Sequence, residues 1–119
     1  MERFADTVRR EYLAVGFRVA PHPQIDLATE PRWSRQSGTF GSSAQVSGEL
    51  AAAYVRGLQG PRLGPRSVAA MVKHFPGGGP QKDGEDPHFP HARSRCTRAA
   101  CASTTWPRSG RPWRPGARR

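Results

Sequence analysis

Two ionisable side chains, Lys73 and His74, stand where a short apolar run ends. The run, Val68 to Val72, has the length of a buried strand rather than of a helix. Residues 76–80, Pro-Gly-Gly-Gly-Pro, follow shortly afterwards and end regular structure. Binding and chemistry in parallel α/β folds occur at the carboxyl ends of the strands. The sequence therefore predicts a binding site at residues 73–74.

The polar loop that follows offers groups that could hold a metal or a phosphate. Asp83, His88 and His91 are metal-ligand types, but their spacing matches no established zinc pattern. The glycine run 77–79 lacks the Gly-Lys-Ser/Thr sequence of a phosphate-binding loop. We therefore expect no metal site, no nucleotide and no cofactor.

Two helices are predicted among the elements that must position this site. Residues 2–15 form an amphipathic pattern that Gly16 can end, with apolar side chains at Phe4, Val8 and Tyr12. A second helical pattern ends before Gly60, with apolar side chains at Val46, Leu50, Tyr54 and Leu58. Residues 30–48, rich in Ser and Gly, are predicted to form a loop.

Two apolar segments predict strands. Residues 17–27 form one, a strand that runs into an irregular segment because Pro21 and Pro23 interrupt it, with Asp26 near its end. Residues 68–75 form the other. The order helix, strand, loop, helix, strand is typical of a slice of an α/β domain built from βα repeats.

The charge of the chain is concentrated at one end. The 119 residues carry a formal charge of +10, of which residues 1–91 contribute only +2 and residues 92–119 contribute +8. The segment 92–119 contains eight Arg, no acid and no periodic pattern, which predicts a disordered basic tail. Cys96 and Cys101 lie there with no metal or disulfide-framework spacing.

A basic tail leaves an alternative function open. Arginines together with Trp106 and Trp113 could neutralise phosphates and stack on bases, as in a small basic nucleic-acid-binding protein. The tail lacks Arg-Gly-Gly repetition, however, so nucleic acid is the less favoured partner. No apolar run reaches the length of a membrane span, and no signal peptide is recognised. Membrane binding is not expected, and localisation stays unknown.

The stretch 73–89, KHFPGGGPQKDGEDPHF, resembles the N-terminal catalytic domain of glycoside hydrolase family 3, the β-glucosidase-type enzymes. The block 25–35, followed by Thr39-Phe40-Gly41, resembles an upstream block of that domain. Residues 57–60, Gly-Leu-Gln-Gly, fall between the two where the family also has them. The likeness covers about residues 5–90. It implies that residues 1–91 are a partial glycoside hydrolase family 3 domain, a piece of a (β/α)₈ TIM barrel. A complete barrel of this kind takes about 250 residues.

The resemblance implies roles for three side chains. Arg35, Lys73 and His74 match positions that contact the sugar in the −1 subsite of the family, so the expected ligand is a β-glucoside or related sugar. From residue types alone, Arg35 could equally be a solvated loop charge and residues 73–74 a strand end. Trp33 is expected to pack within its loop rather than to support a sugar ring.

No catalytic residue is expected among these 119 residues. A retaining glycosidase needs two carboxyl groups about 5–5.5 Å apart. By the resemblance, the nucleophile belongs to a Ser-Asp-Trp-type stretch and the acid/base lies further along, and neither segment occurs here. Asp83, Glu85 and Asp86 are therefore expected to shape the loop, and the chain to be an inactive fragment of a hydrolase.

The change of character near residue 91 suggests a shifted reading frame. Recoding residues 96–101 one base earlier can give Val-Tyr-Pro-Gly-Gly-Met, and the same shift over residues 104–113 gives an apolar segment. Both segments resemble the continuation of the family domain. Residues 92–119 are thus expected to be out-of-frame translation, or else a genuine basic tail.

The gene can distinguish these two origins of the tail. We expect one of the other two frames, read from codon 90 onward, to encode an apolar continuation and then a Ser-Asp-Trp-like stretch. Sequencing the gene and its transcript provides the measurement. Stop codons in both alternative frames would mean that residues 92–119 are a genuine tail.

Overall fold

The structure, a computed structural model, describes residues 1–75, 77–79, 81–86 and 88–90. Its helices and strands are, in chain order, α1 (Glu2–Ala14), β1 (Val19–Ala20), α2 (Ala44–Gln59) and β2 (Ala69–Ala70). Two short 3₁₀ turns lie at Gln36–Gly38 and Lys82–Gly84. The tail predicted for 92–119 lies outside the described residues.

Both predicted helices are present, and one begins earlier than expected. Helix α1 ends at Ala14, one residue before the predicted end, and Gly16 follows with a φ of 87°. Helix α2 begins at Ala44, inside the predicted loop 30–48. The reason is a cap: the Ser43 hydroxyl accepts a hydrogen bond from the Val46 N–H at 3.4 Å. The loop prediction was therefore wrong for residues 44–48.

The two strands are parallel and short, with two residues each. Val19 pairs with Ala69 and Ala20 pairs with Ala70. Pro21 follows at once and Pro23 shortly after, and a proline has no N–H to donate to a strand partner. Regular pairing stops there, and only an isolated parallel bridge between Gln24 and Lys73 resumes it. The prediction that residues 17–27 begin as a strand and become irregular at the prolines is confirmed, whereas the strand predicted for residues 68–75 is correct in position and too long.

A small core joins the helices to the strands. Four side chains form its centre and are fully buried: Ala5, Ala20, Leu58 and Val68. The Leu58 carbonyl also accepts a hydrogen bond from the Val68 N–H at 2.9 Å, which ties the end of α2 to the start of β2. Rings of Tyr12, His22 and Tyr54 meet edge to face beside this core, with centroids 5.5–5.6 Å apart. The parallel pair therefore rests on both helices.

Large apolar side chains stay uncovered around the strands. Phe17 is 58% exposed, Val19 59% and Met71 53%. Phe75, directly after the Lys73-His74 pair, is 81% exposed. Apolar surface in contact with water contributes nothing to hydrophobic stabilisation. Within the described residues, the sheet thus has apolar positions that no neighbouring element covers.

Helices α1 and α2 touch so closely at Gly57 that a side chain cannot fit there. A Cβ at this position would lie 2.4 Å from the Glu2 carbonyl oxygen and 2.6 Å from the Ala5 Cβ. By contrast, a Cβ at Gly48 of the same helix meets nothing within 4 Å. The two glycines are therefore a matched pair for testing the helix contact.

We expect Gly57→Ala to lower the free energy of unfolding by about 1–3 kcal/mol, because the methyl group forces the helices apart. Gly48→Ala should raise it by about 0.5–1 kcal/mol, because alanine costs less backbone entropy in a helix. Urea unfolding followed by circular dichroism measures both. Equal effects of the two substitutions would contradict the helix packing described here.

Candidate functional site

Lys73 and His74 follow β2 and lie beside the extended residues after β1. The Lys73 N–H donates to the Pro23 carbonyl at 3.1 Å, and the Ile25 N–H donates to the Lys73 carbonyl at 2.7 Å. The peptide bond between Lys73 and His74 is cis. These hydrogen bonds place the pair at the carboxyl end of the two parallel strands, as the sequence predicts, and next to segment 24–26.

A buried carboxylate, Asp26, holds His74. Asp26 is 1% exposed, and its Oδ2 lies 2.7 Å from the His74 Nδ1. Its Oδ1 accepts hydrogen bonds from the backbone N–H of Gly78 and, at 3.4 Å, from that of His74. A buried carboxylate is tolerated when such donors surround it. The sequence analysis placed Asp26 near a strand end and predicted no role for it. An acidic residue inside the apolar segment 25–27 was the feature that could have indicated a buried carboxylate.

The glycine run allows its loop to lie directly on the segment that carries Asp26. Gly77, Gly78 and Gly79 are buried. A Cβ on Gly79 would lie 1.7 Å from the Leu27 carbonyl oxygen, which is impossible without moving the backbone. The buried Gln81 side chain donates from Nε2 to the Gly78 carbonyl at 2.8 Å and so closes the loop. The glycines therefore serve close backbone approach.

Arg35 is held by the same extended segment. Its guanidinium donates to the Gln24 Oε1 at 3.1 Å, and Gln24 forms the parallel bridge with Lys73. Arg35 is half-buried. The neighbouring Trp33 is 2% exposed, which confirms the prediction that it packs within its loop. Gln24 thus connects the loop that contains Arg32 and Arg35, which we call the arginine loop, to the end of the strand. The sequence alone did not reveal this connection.

An ion-pair network joins the arginine loop to the loop that contains Asp83, Glu85 and Asp86, which we call the acidic loop. The Arg32 guanidinium lies 2.9 Å from the Glu30 Oε1 and 3.2 Å from the Asp83 Oδ1. The Arg32 side chain and backbone N–H both donate to Glu30 and lower the pKa of its carboxyl to about 2. The same contacts raise the pKa of Arg32. Residues 30–32 and 83 therefore keep the two loops together.

Asp86 in the acidic loop pairs with the nearby His88. The His88 N–H donates to the Asp86 Oδ1 at 2.9 Å, and this bond is the largest cause that lowers the pKa of Asp86. The His88 ring adds a second bond, and the charge of Arg35 has a smaller effect in the same direction. Asp86 is thus a paired carboxylate near one of the predicted sugar contacts.

The three predicted site residues all surround segment 24–26. Gln24 and Asp26 stand two apart on an extended backbone, a spacing that points side chains to the same face. Gln24 holds Arg35 and pairs with Lys73, and Asp26 holds His74. The arrangement therefore offers a guanidinium, an ammonium and an imidazole, donors and acceptors suited to a polyhydroxylated ligand.

The described ranges contain neither a cluster of metal-ligating residues nor a helix that could cross a bilayer. No group of three His, Cys, Asp or Glu residues there is arranged to hold a metal ion. Asp83 instead pairs with Arg32 and His88 with Asp86, while His91 lies outside the described residues. No helix of this part of the chain has the length and apolar character to cross a bilayer.

Comparison with known proteins establishes the family. Residues 1–95 match the Glycosyl hydrolase family 3 N terminal domain. Because this match covers most of the chain, the protein belongs to that family. The resemblance inferred from the sequence is confirmed. The match gives no support to a nucleic-acid-binding protein.

The relatives are β-glucosidases and related enzymes. Beta-glucosidase C of Emericella nidulans is 52% identical over 96 residues, 80% of this chain and 16% of that protein. Probable beta-glucosidase C of Aspergillus flavus is 50% identical over 95 residues, 80% of this chain and 15% of that protein. Periplasmic beta-glucosidase/beta-xylosidase of Dickeya chrysanthemi is 49% identical over 90 residues, covering 74% and 14%. The chain therefore spans about one seventh of the length of these relatives.

A solved structure agrees with these matches. The beta-glucosidase from Listeria innocua in complex with glucose is 33% identical, with a TM-score of 0.58. The similarity covers 62% of this chain and 11% of the other. A variant of the same enzyme in complex with laminaribiose matches equally well. More than half of this chain is thus similar in structure to a small part of a β-glucosidase.

Replacing Arg32 tests the ion-pair network. We expect Arg32→Gln to raise the pKa of Glu30 from about 2 towards its ordinary value of 4.5, because the guanidinium bonds are lost. In the unchanged chain, Glu30 should add stability above about pH 4.5 that disappears as the pH falls towards 2. A carbon-13 NMR titration of the glutamate carboxyls measures the pKa. The exposed Arg62→Gln is the control and should leave Glu30 as it is.

Proposed function

We propose that this chain is part of a retaining β-glucosidase-type hydrolase that acts on terminal β-linked glucose or a related sugar. Its contribution is part of the sugar-binding site, formed by Arg35, Lys73 and His74. The observation that carries the proposal is the convergence of these three residues on segment 24–26, inside a family whose relatives are named beta-glucosidases.

In fold, we infer a piece of a (β/α)₈ TIM barrel. The unit β1, α2, β2 has two parallel strands with a helix between them, which is the repeating element of such barrels. Uncovered apolar side chains at Val19 and Met71 agree with a sheet that continues beyond these strands. The family domain is proposed to occupy residues 1–91, and residues 92–119 to be a basic tail or out-of-frame translation.

Each of the three side chains has a distinct task in holding a sugar. The Arg35 guanidinium presents a planar set of donors that can bridge two oxygens, and the Lys73 ammonium is a compact charge with three donors. The His74 ring is oriented by one nitrogen and meets the ligand with the other. Contacts of this kind to sugar hydroxyls strengthen in the oxocarbenium-like transition state and supply several kcal/mol.

Two of the loop carboxylates, Asp83 and Asp86, do not suit the catalytic acid. A general acid in a glycosidase has a raised pKa, so that it holds its proton near neutral pH. The pKa of Asp86 is lowered, and Asp83 is paired with Arg32. Both therefore serve better as loop contacts, and the chain by itself is proposed to bind sugar without hydrolysing it.

Glucose binding tests the site. We expect Arg35→Ala and Lys73→Ala each to weaken glucose binding about tenfold or more, because a hydrogen bond to a charged group contributes about 1.5–3 kcal/mol. Titration of the 119-residue chain with glucose, followed by NMR chemical shifts, provides the measurement. Arg62→Ala and Lys82→Ala remove exposed charges elsewhere and should have no effect. If all four variants bind glucose equally, the site lies elsewhere.

Activity of the isolated chain tests the second part. The 119-residue chain should release no product from an aryl β-glucoside, because it lacks the proposed nucleophile and acid/base. Release of the aryl group can be followed by absorbance over many hours at high protein concentration. Measurable turnover that is abolished by Asp83→Asn, Glu85→Gln or Asp86→Asn would refute the proposal that none of these acids is catalytic.

A further inference from the structure

We propose that Asp26 is the positioning residue of the sugar site. It fixes the His74 ring in the tautomer that carries its proton on Nδ1, so that Nε2 meets the sugar as a hydrogen-bond acceptor. This inference rests on the sugar-binding function proposed above and makes one contact of it specific. A hydroxyl that binds His74 must then donate its proton.

The hydrogen-bond capacity of Asp26 decides the tautomer. Both oxygens of an ionised carboxylate accept, and neither can donate. Oδ1 is occupied by the backbone N–H groups of Gly78 and His74, and Oδ2 lies 2.7 Å from the His74 Nδ1. The Asp26 side chain is fully buried, so that water does not replace these partners. The proton in the bond between Oδ2 and the ring must therefore come from Nδ1.

The second ring nitrogen then has a defined role. In a neutral imidazole one nitrogen donates and the other accepts, so a proton on Nδ1 leaves a lone pair on Nε2. Among the described residues, Asp26 is the hydrogen-bond partner of this ring, and the His74 side chain is 37% exposed. The imidazole thus keeps an accessible edge while its buried edge is fixed.

Lys73 and His74 become complementary through this tautomer. The Lys73 ammonium only donates, whereas Nε2 of His74 only accepts. A hydroxyl group does both. A sugar hydroxyl placed between these adjacent residues can accept from Lys73 and donate to His74 at once. The pair would therefore select a hydroxyl over a group, such as fluorine or an ether oxygen, that cannot donate.

The tautomer can be measured directly without any sugar. The chain is labelled with nitrogen-15 in its histidines and studied at about pH 8, where imidazoles are ordinarily neutral. Two-bond proton–nitrogen NMR spectra then distinguish the protonated ring nitrogen from the unprotonated one. The His74→Gln variant assigns the ring by loss of its signals. We expect a protonated Nδ1 and an unprotonated Nε2. A proton on Nε2, or the averaged pattern of a free histidine, would overturn the proposal.

Asp26→Asn is the sharper test, because asparagine has one acceptor oxygen and one donor NH₂ group. When the asparagine oxygen accepts from the Gly78 N–H, the NH₂ group faces the His74 ring. This group donates, so it requires an unprotonated Nδ1 as its acceptor. We expect the His74 tautomer to switch, with the proton moving to Nε2. Asp86→Asn, at the aspartate paired with His88, is the matched control and should leave His74 unchanged. An unchanged tautomer in Asp26→Asn would contradict the role of Asp26.

His22 reports whether the chain is folded in these experiments. Its Nε2 lies 2.9 Å from the Tyr12 hydroxyl and its ring meets those of Tyr12 and Tyr54 edge to face, so a folded chain gives its ring resonances shifted from those of a free histidine. If the Asp26→Asn variant loses this His22 signature, it is unfolded. The His74 tautomer measured in the unchanged chain then decides the question alone. Failure to bind glucose leaves the tautomer measurement intact, so that the proposed function and the role of Asp26 can fail separately.

Discussion

The arrangement of the site depends on one buried charge, the carboxylate of Asp26. Moving an ionised group out of water costs several kcal/mol unless hydrogen bonds replace those to water. Here the replacements come from the residues that follow β2: the His74 ring, the His74 N–H and the Gly78 N–H. The carboxylate therefore requires the loop after β2 to fold back onto segment 24–26. The loop can do so only because its glycines permit contact between backbones.

The two helices support this arrangement by packing against the parallel strands. Helix α1 packs on α2 at Gly57, where the backbones nearly touch, and both cover one side of the parallel strands through Ala20 and Val68. This core is small. The opposite apolar positions, among them Val19 and Met71, face solvent and add nothing to stability. The site is therefore held more by specific polar contacts than by extensive burial.

Charge holds together the loops that flank the site. The network of Glu30, Arg32 and Asp83 links the arginine loop to the acidic loop across about fifty residues of sequence. The Arg32 and Asp83 side chains are 63% and 54% exposed, whereas that of Glu30 is 19% exposed, and exposed ion pairs contribute little to stability. Their effect is better understood as a link between the two loops, because Arg32 contacts an acid in each. The pKa of Asp86 in the acidic loop is lowered mainly by the His88 N–H and to a smaller degree by the charge of Arg35.

Much of this was predictable, because helix and strand patterns are local. The helical spacing of apolar residues in 2–15 and 46–58 predicted both helices. The apolar run before Lys73 predicted where the second strand ends. Three ordered blocks of sequence identified the family, which the comparison over residues 1–95 confirms. The second strand was predicted too long because the prolines after β1 remove the donors that its later residues would need, and the start of α2 was missed because the Ser43 cap was not recognised.

The sequence by itself thus determined the two helices, the place of the strands and the family, and it supplied the residues that we propose to bind a sugar. Only the tertiary structure decided which residues hold those side chains in place. Asp26 lies 48 residues from His74, and Gln24 lies 11 from Arg35, so no local pattern connects either pair. A hydrogen bond depends on the distance and direction between two groups, and distant residues acquire these only when strand pairing brings segment 24–26 beside Lys73.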